Sequence, residues 1–259
     1  MIDSETLEGL YNKYNDRGYV HPDPLEFLYA YKDVKEREIA GLVASVLAYG
    51  QVKQILKSVS KVLSALGTNP SAFLKTANQA DIENEFREFK HRFTTGLEIS
   101  VFLLNIGRVL KKYGTLYECF LSGFYKEKQY LQALLNFITE LRLGECELYS
   151  SLIPMPTGKC AYKRMNLYMR WMVRKDNVDP GGWDGIPASK LIIPLDIHMH
   201  RVSLKYGFTE RKQADMVSAI QITEALKRFC PEDPVKYDFS LTRPGINKVR
   251  QQEKRIFLK

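Results

Sequence analysis

The sequence predicts an all-α fold, and three observations carry that expectation. Apolar residues recur at helical spacing through most of the chain, and glycines stand where those periodic stretches stop. No run of alternating Val, Ile and Thr with hairpin turns interrupts them. Glu5–Asp16 opens after Ser4, a residue type that caps helices, and sets Leu7, Leu10, Tyr11 and Tyr14 on one face. His21-Pro22-Asp23-Pro24 is a stiff entry into a helix over Leu25–Tyr31, with Asp23 placed to cap it. Lys35–Tyr49 carries Ile39, Leu42, Val43, Val46 and Leu47 and stops at Gly50; Val52–Leu66 repeats the pattern and stops at Gly67. Leu97–Tyr113, Leu116–Tyr125 and Tyr130–Leu143 follow, the first closed by Gly114 and the last by Gly144. After a Pro/Gly hairpin over 152–158 come a basic helix, Cys160–Arg174, and a loop holding Asp179-Pro180-Gly181-Gly182-Trp183. Ile197 begins another helix, and Ala214–Phe229 and Pro234–Thr242 close the series before a basic tail, 247–259.

At 259 residues the chain makes one large domain or two small ones, and its composition is that of an ordinary globular protein. The longest apolar stretches, Ile39–Ala48 and Leu97–Leu110, are too interrupted to cross a membrane. Met1–Leu10 lacks the basic-then-apolar order of a secretion signal. Four cysteines without CxxC spacing argue against a zinc site, an iron–sulfur cluster or a disulfide framework. The expected setting is the cytoplasm, with reduced thiols, no cofactor and no metal. A net charge of +8 points weakly to an anionic partner.

Two stretches can carry chemistry. The first is the hairpin ending in Gly158-Lys159 together with the helix behind it. A helix N-terminus attracts phosphate, and Lys163, Arg164, Arg170 and Arg174 extend the positive surface. The alternative is a plain cap with a solvated basic face. Tyr168 and Trp171 sit at core spacing on the same helix, so each is either a stacking surface or part of the core, as is Trp183 in the loop. The second stretch is Leu195-Asp196-Ile-His198-Met-His-Arg201-Val202. Asp196 stands at a helix entry, where it is either an N-cap, the default, or a buried carboxylate aimed at something cationic; both roles coexist if one oxygen caps while the other points into a cleft. His198 and His200, two residues apart on a helix, face opposite sides and cannot share a metal ion; His198 belongs instead beside Asp196.

This second stretch resembles the Val-Asp-Thr-His-Val-x-Arg-Val segment of the helix-hairpin-helix DNA glycosylases, the endonuclease III-like superfamily, in which the Asp is the catalytic carboxylate. Residues 234–245 resemble the superfamily's closing helix. Over its whole length the chain is similar to a group of uncharacterised bacterial proteins, and its layout is closest to the archaeal 8-oxoguanine DNA glycosylases. There a Lys on the helix after the hairpin precedes the Asp by about thirty residues; here Lys163 precedes Asp196 by 33. The superfamily's Leu-Pro-Gly-Val-Gly-x-Lys hairpin is replaced by Ile153-Pro-Met-Pro-Thr-Gly-Lys159, so Lys159 is the competing choice.

The resemblance implies two helical subdomains with a cleft between them, with lobes 1–31 plus 190–259 and 32–189. It also implies a monomer that removes a damaged base, such as an oxidised purine, from duplex DNA, with Lys163 as nucleophile and Asp196 as electrostatic stabiliser. Trp171, Trp183, Tyr168 and His198 would meet the extruded base. Lys159, Arg164, Arg170, Arg174 and Arg201 would meet the phosphates. The rival reading is a DNA- or RNA-binding helical module without catalysis.

Overall fold

A computed structural model of the protein describes residues 2–127, 129–144, 152–157 and 160–244. In chain order the helices are α1 (Ser4–Tyr14), α2 (Val34–Val46), α3 (Val52–Leu66), α4 (Pro70–Thr76), α5 (Gln79–Glu85) and α6 (Gly96–Tyr113). They continue with α7 (Leu116–Glu127), α8 (Tyr130–Arg142), α9 (Lys163–Val173), α10 (Ile197–Tyr206) and α11 (Met216–Lys227). Residues 238–244 are helical as well. Two strands of two residues, β1 (Lys90–His91) and β2 (Thr94–Thr95), pair antiparallel between α5 and α6. The chain is therefore overwhelmingly helical. Among the described residues, no helix is long and apolar enough to cross a membrane.

The chain divides into two compact units, one comprising 1–21, 159–181 and 187–259, the other 22–158 and 182–186. These units differ from the expected lobes at 22–31, 159–181 and 187–189. The stretch 22–31 belongs to the second unit, because the 3-10 helix Pro24–Ala30 packs on α2 and α3. The segment carrying α9 belongs to the first unit, because its buried arginines find their carboxylates there.

In the second unit, α2 is apolar nearly all round and is buried from Glu38 to Val46, so it forms the centre of the core. Asp33 caps it by accepting from the Lys35 amide. A reciprocal capping box of Thr95 and Glu98 starts α6. The first amides of α7 find their acceptor on another helix: the Glu38 carboxylate accepts from Leu116 N at 2.6 Å and Tyr117 N at 3.0 Å. It also accepts from the Trp183 indole N–H at 3.1 Å. A helix N-terminus favours negative charge, but burial dominates and pushes the Glu38 carboxyl up to about 7.

In the first unit, α1 docks on the segment before 238–244. Glu8 receives Lys236 Nζ at 2.8 Å and the Tyr237 hydroxyl, and Tyr11 meets Tyr237 edge-on at 6.2 Å. The N-terminal helix is thus tied down by polar and aromatic contacts rather than left as an arm.

Gly107 lies where α6 crosses α4, and an added Cβ would strike the Leu74 carbonyl oxygen. Alanine has the better helix propensity, yet the collision has backbone on both sides and cannot be relieved by a rotamer. Gly107→Ala is expected to destabilise by about 1–3 kcal/mol in urea unfolding, the reverse of the propensity order. A stabilised variant would show that the two helices do not approach closely at this point.

Candidate functional site

Tyr162 precedes α9 with φ of 47°, in the left-handed region that a bulky residue rarely occupies, and its side chain makes no cap. The chain therefore enters α9 in a strained turn, and Lys163 is the helix's first residue. Asn166, one turn on, donates to the Ala161 carbonyl at 3.0 Å and stiffens that turn.

Asp196 caps α10 and faces a cation, but it is partly exposed rather than buried. Its Oδ1 accepts from the Met199 amide at 2.8 Å, capping α10, and its Oδ2 lies 3.4 Å from Lys163 Nζ. The two side chains are 36% and 29% exposed, so the pair is open to solvent. Both residues belong to the first unit.

Behind this pair lies a buried ionic network. Arg170 binds Asp179 through Nε and Nη2 at 3.1 and 3.0 Å, and binds Asp238 through Nη1. Arg174 binds Asp233 at 2.9 Å and Asp176 at 2.7 Å, and pairs with Asp179. Tyr11 of α1 donates to Asp176 at 3.1 Å. Burial pushes the Asp238 carboxyl up to about 6; Arg170 opposes this, and the negative charge of Asp196 adds to it. Asp238 and Asp196 therefore sense one another, which links the buried network to the exposed pair.

The remaining sequence-predicted residues fall into three groups. Arg170 and Arg174 are buried at the centre of the network and present nothing to a phosphate; their expected DNA contacts are corrected. Their carboxylate partners come from the 175–180 loop and from some sixty residues downstream. Tyr168, Trp171 and Trp183 are fully buried, so their expected stacking on a base is corrected too. Trp183 sits in the second unit against Tyr117, Phe120 and Phe137, held through its indole N–H by Glu38.

Arg164 is half-buried, whereas His198 and Arg201 are exposed on α10. His200 is buried and bonds the Arg211 carbonyl through Nε2 at 2.8 Å, so the two histidines do face apart. Lys159 lies outside the described residues. Among the described residues, no group of three or more His, Cys, Asp and Glu side chains is arranged to hold a metal ion.

Asp179, Asp233 and Asp238 were not singled out by sequence reasoning. One signal was available: Arg170 and Arg174, four residues apart, share a helix face with neighbours that are core residues, and arginines buried that way need acids.

A family model described as "Protein of unknown function (DUF2400)" matches residues 23–247. The chain belongs to that family. The match takes in Lys163, Asp196 and every carboxylate of the buried network, and leaves α1 outside. None of the curated proteins and none of the solved structures searched matches the chain.

Two predictions follow the charges of this DUF2400 chain. Arg170→Ala would leave Asp179 without one cation and Asp238 buried without its partner, and is expected to cost about 3–5 kcal/mol in urea unfolding. Lys163→Ala breaks a partly exposed pair and should cost no more than about 1 kcal/mol. Equal losses would contradict this division.

The second prediction concerns pH. Glu38 and Asp238 have folded values above their usual ones, about 7 against 4.5 and about 6 against 3.8. The folded protein holds these protons where the unfolded chain releases them. Their contribution to stability is complete below about 4 and fades as pH rises to 7. The thermal midpoint of wild type should fall between pH 5 and 7.5, and Glu38→Gln should flatten that fall. An unchanged slope in Glu38→Gln would rule out Glu38 as a source.

Proposed function

We propose that the chain is a DNA base-excision glycosylase of the helix-hairpin-helix kind, with an abasic-site lyase step, acting as a cytoplasmic monomer on duplex DNA. The observation that carries this reading is the Lys163–Asp196 pair: an amine and a carboxylate 3.4 Å apart, solvent-accessible, in front of a buried charged network. A capping interaction alone does not require a lysine at Oδ2, and an exposed ion pair is worth too little for stability to explain the arrangement.

In this reading the Lys163 ammonium gives its proton to solvent, and the Asp196 carboxylate stays charged and stabilises the positive character that develops on the sugar. The free amine attacks C1′ of the extruded nucleotide; the C1′–N bond to the base breaks, and the base leaves with the electron pair and then a proton. Ring opening at C1′–O4′ gives the Schiff base. Loss of a proton from C2′ then breaks the C3′–O bond and releases the 3′ phosphate. Cap bonding to Met199 keeps Asp196 oriented throughout. His198, Arg201 and Arg164 remain as the candidates for contact with the target nucleotide and its phosphates.

Borohydride reduction would fix the Schiff base as a covalent protein–DNA adduct, which wild type should form with an abasic or oxidised-purine duplex. Lys163→Ala should abolish the adduct and Lys159→Ala should keep it. Asp196→Asn remains a good N-cap, so the helix survives while base release drops by about 10²–10³. Loss of the adduct in Lys159→Ala but not in Lys163→Ala would move the nucleophile to Lys159. A wild type that binds these duplexes and never traps is the non-catalytic binding module instead.

A further inference from the structure

Arg170 and Arg174 are neutralised by their carboxylates, whereas the second unit carries cations that are not. Helix α3 has three lysines and no acid, and Lys53, Lys57 and Lys61 fall at i, i+4 and i+8. All three are exposed along one stripe, about 6 Å apart by helix rise, and none is in an ion pair among the described residues.

The β1–β2 hairpin lies along this helix. His91 bonds Ser58 Oγ of α3 through Nδ1 at 2.9 Å and the Tyr49 carbonyl through Nε2 at 3.1 Å. Lys61 Nζ stands 5.8 Å from the centre of the Phe89 ring, just before β1. The Tyr49 hydroxyl is 2.6 Å from Thr94 Oγ1 and 3.0 Å from the His91 carbonyl, which fixes the hairpin's base.

On that rigid base the tip is built outward. Arg92 has φ of 52°, where a glycine would be free of strain. Its stem rests on Gly50, itself at φ of 96°, so closely that a Cβ there would lie 2.6 Å from Arg92 Cδ. The guanidinium stands 5.4 Å from the centre of the Phe93 ring. Phe93 is 73% exposed, and Leu97, in the first turn of α6, is 62% exposed. Glu98, the acid at the hairpin's foot, is engaged in the capping box.

We propose that this face is a nucleic-acid interface, on which Lys53, Lys57 and Lys61 follow the phosphates of a strand while Phe93, held by Arg92, stacks on an unpaired base. A row of cations beside a projecting aromatic and an arginine is the combination that single-stranded nucleic acid takes up: charge for the backbone, a flat apolar face for the base. A protein partner fits the aromatic but leaves the unpaired lysine row and the strained arginine unused. The positive φ of Arg92 is what a two-residue hairpin loop requires, and the hydrogen-bonded base keeps the tip in place. The proposal agrees with a DNA-acting protein but rests on no residue of the Lys163–Asp196 pair, and either can fail alone.

The test is fluorescence titration of a single-stranded 20-mer DNA oligonucleotide carrying 2-aminopurine, with the full chain at several salt concentrations. Wild type should bind, quench the 2-aminopurine and weaken steeply with salt. The triple variant Lys53→Gln, Lys57→Gln, Lys61→Gln should flatten the log K against log salt slope by about 2. Phe93→Ala should weaken binding about 5- to 100-fold and lose the quench, and Phe93→Tyr should restore both. These side chains are exposed, and an unchanged circular dichroism spectrum would confirm that each variant folds. Salt-independent binding, no binding by wild type, or variants with wild-type affinity and slope would overturn the proposal. Loss of the borohydride adduct alone would leave this interface standing, and loss of the α3 effect alone would leave the chemistry standing.

Discussion

The first unit depends on how two arginines are satisfied away from water. Arg170 and Arg174 stand one turn apart on α9 and meet carboxylates from the loop after α9 and from residues 233 and 238. Desolvating so many charges contributes little net stability compared with an apolar core of the same volume. Geometry is what it provides. A guanidinium held by two carboxylates fixes the rotation of its helix as well as its position. Lys163 lies seven residues before Arg170, two turns along nearly the same face. Fixing Arg170 therefore fixes the direction in which Lys163 leaves the helix, and that direction is toward Asp196.

In the second unit the buried Glu38 carboxylate is met by neutral donors instead. Glu38 faces two backbone amides at the start of α7 and one indole N–H. Burial outweighs these donors and holds the carboxyl up near 7. Its bond to Trp183 holds the segment 182–186 in the aromatic cluster of this unit, although the residues on either side belong to the other one. In both units burial raises the acid, Glu38 in one and Asp238 in the other.

Much of the fold was legible because amphipathic helices leave a periodic trace and glycines mark their ends. Val52–Leu66 was read residue for residue, and Leu97–Tyr113 and Tyr130–Leu143 each missed by one. The seven-residue helices α4 and α5 left too short a pattern, and strands of two residues leave none. The span expected at Leu25–Tyr31 lies one residue earlier, at Pro24–Ala30, and winds as a 3-10 helix with Asp23 capping it. At the site, Asp196 was legible because capping and reaching for a cation are both local properties of one carboxylate. The arginines were not: their burial depends on acids that tertiary structure brings from distant sequence, and composition assigns a basic helix to solvent by default. Aromatic residues failed for the converse reason, since spacing alone does not separate a stacking surface from core.

The charges around Lys163 also constrain how any anionic substrate is held. Counting the pair and the network behind it, Lys163, Arg170 and Arg174 face Asp196, Asp238, Asp179, Asp176 and Asp233. That cluster does not attract phosphate by its net charge, for all the basic appearance of α9 in sequence. It suits an environment in which positive charge appears on the substrate, since several carboxylates lower its energy. Affinity for a polyanion must then come from cations that no carboxylate has neutralised. The lysine row of α3 is such a set, and it lies in the unit that holds neither Lys163 nor Asp196.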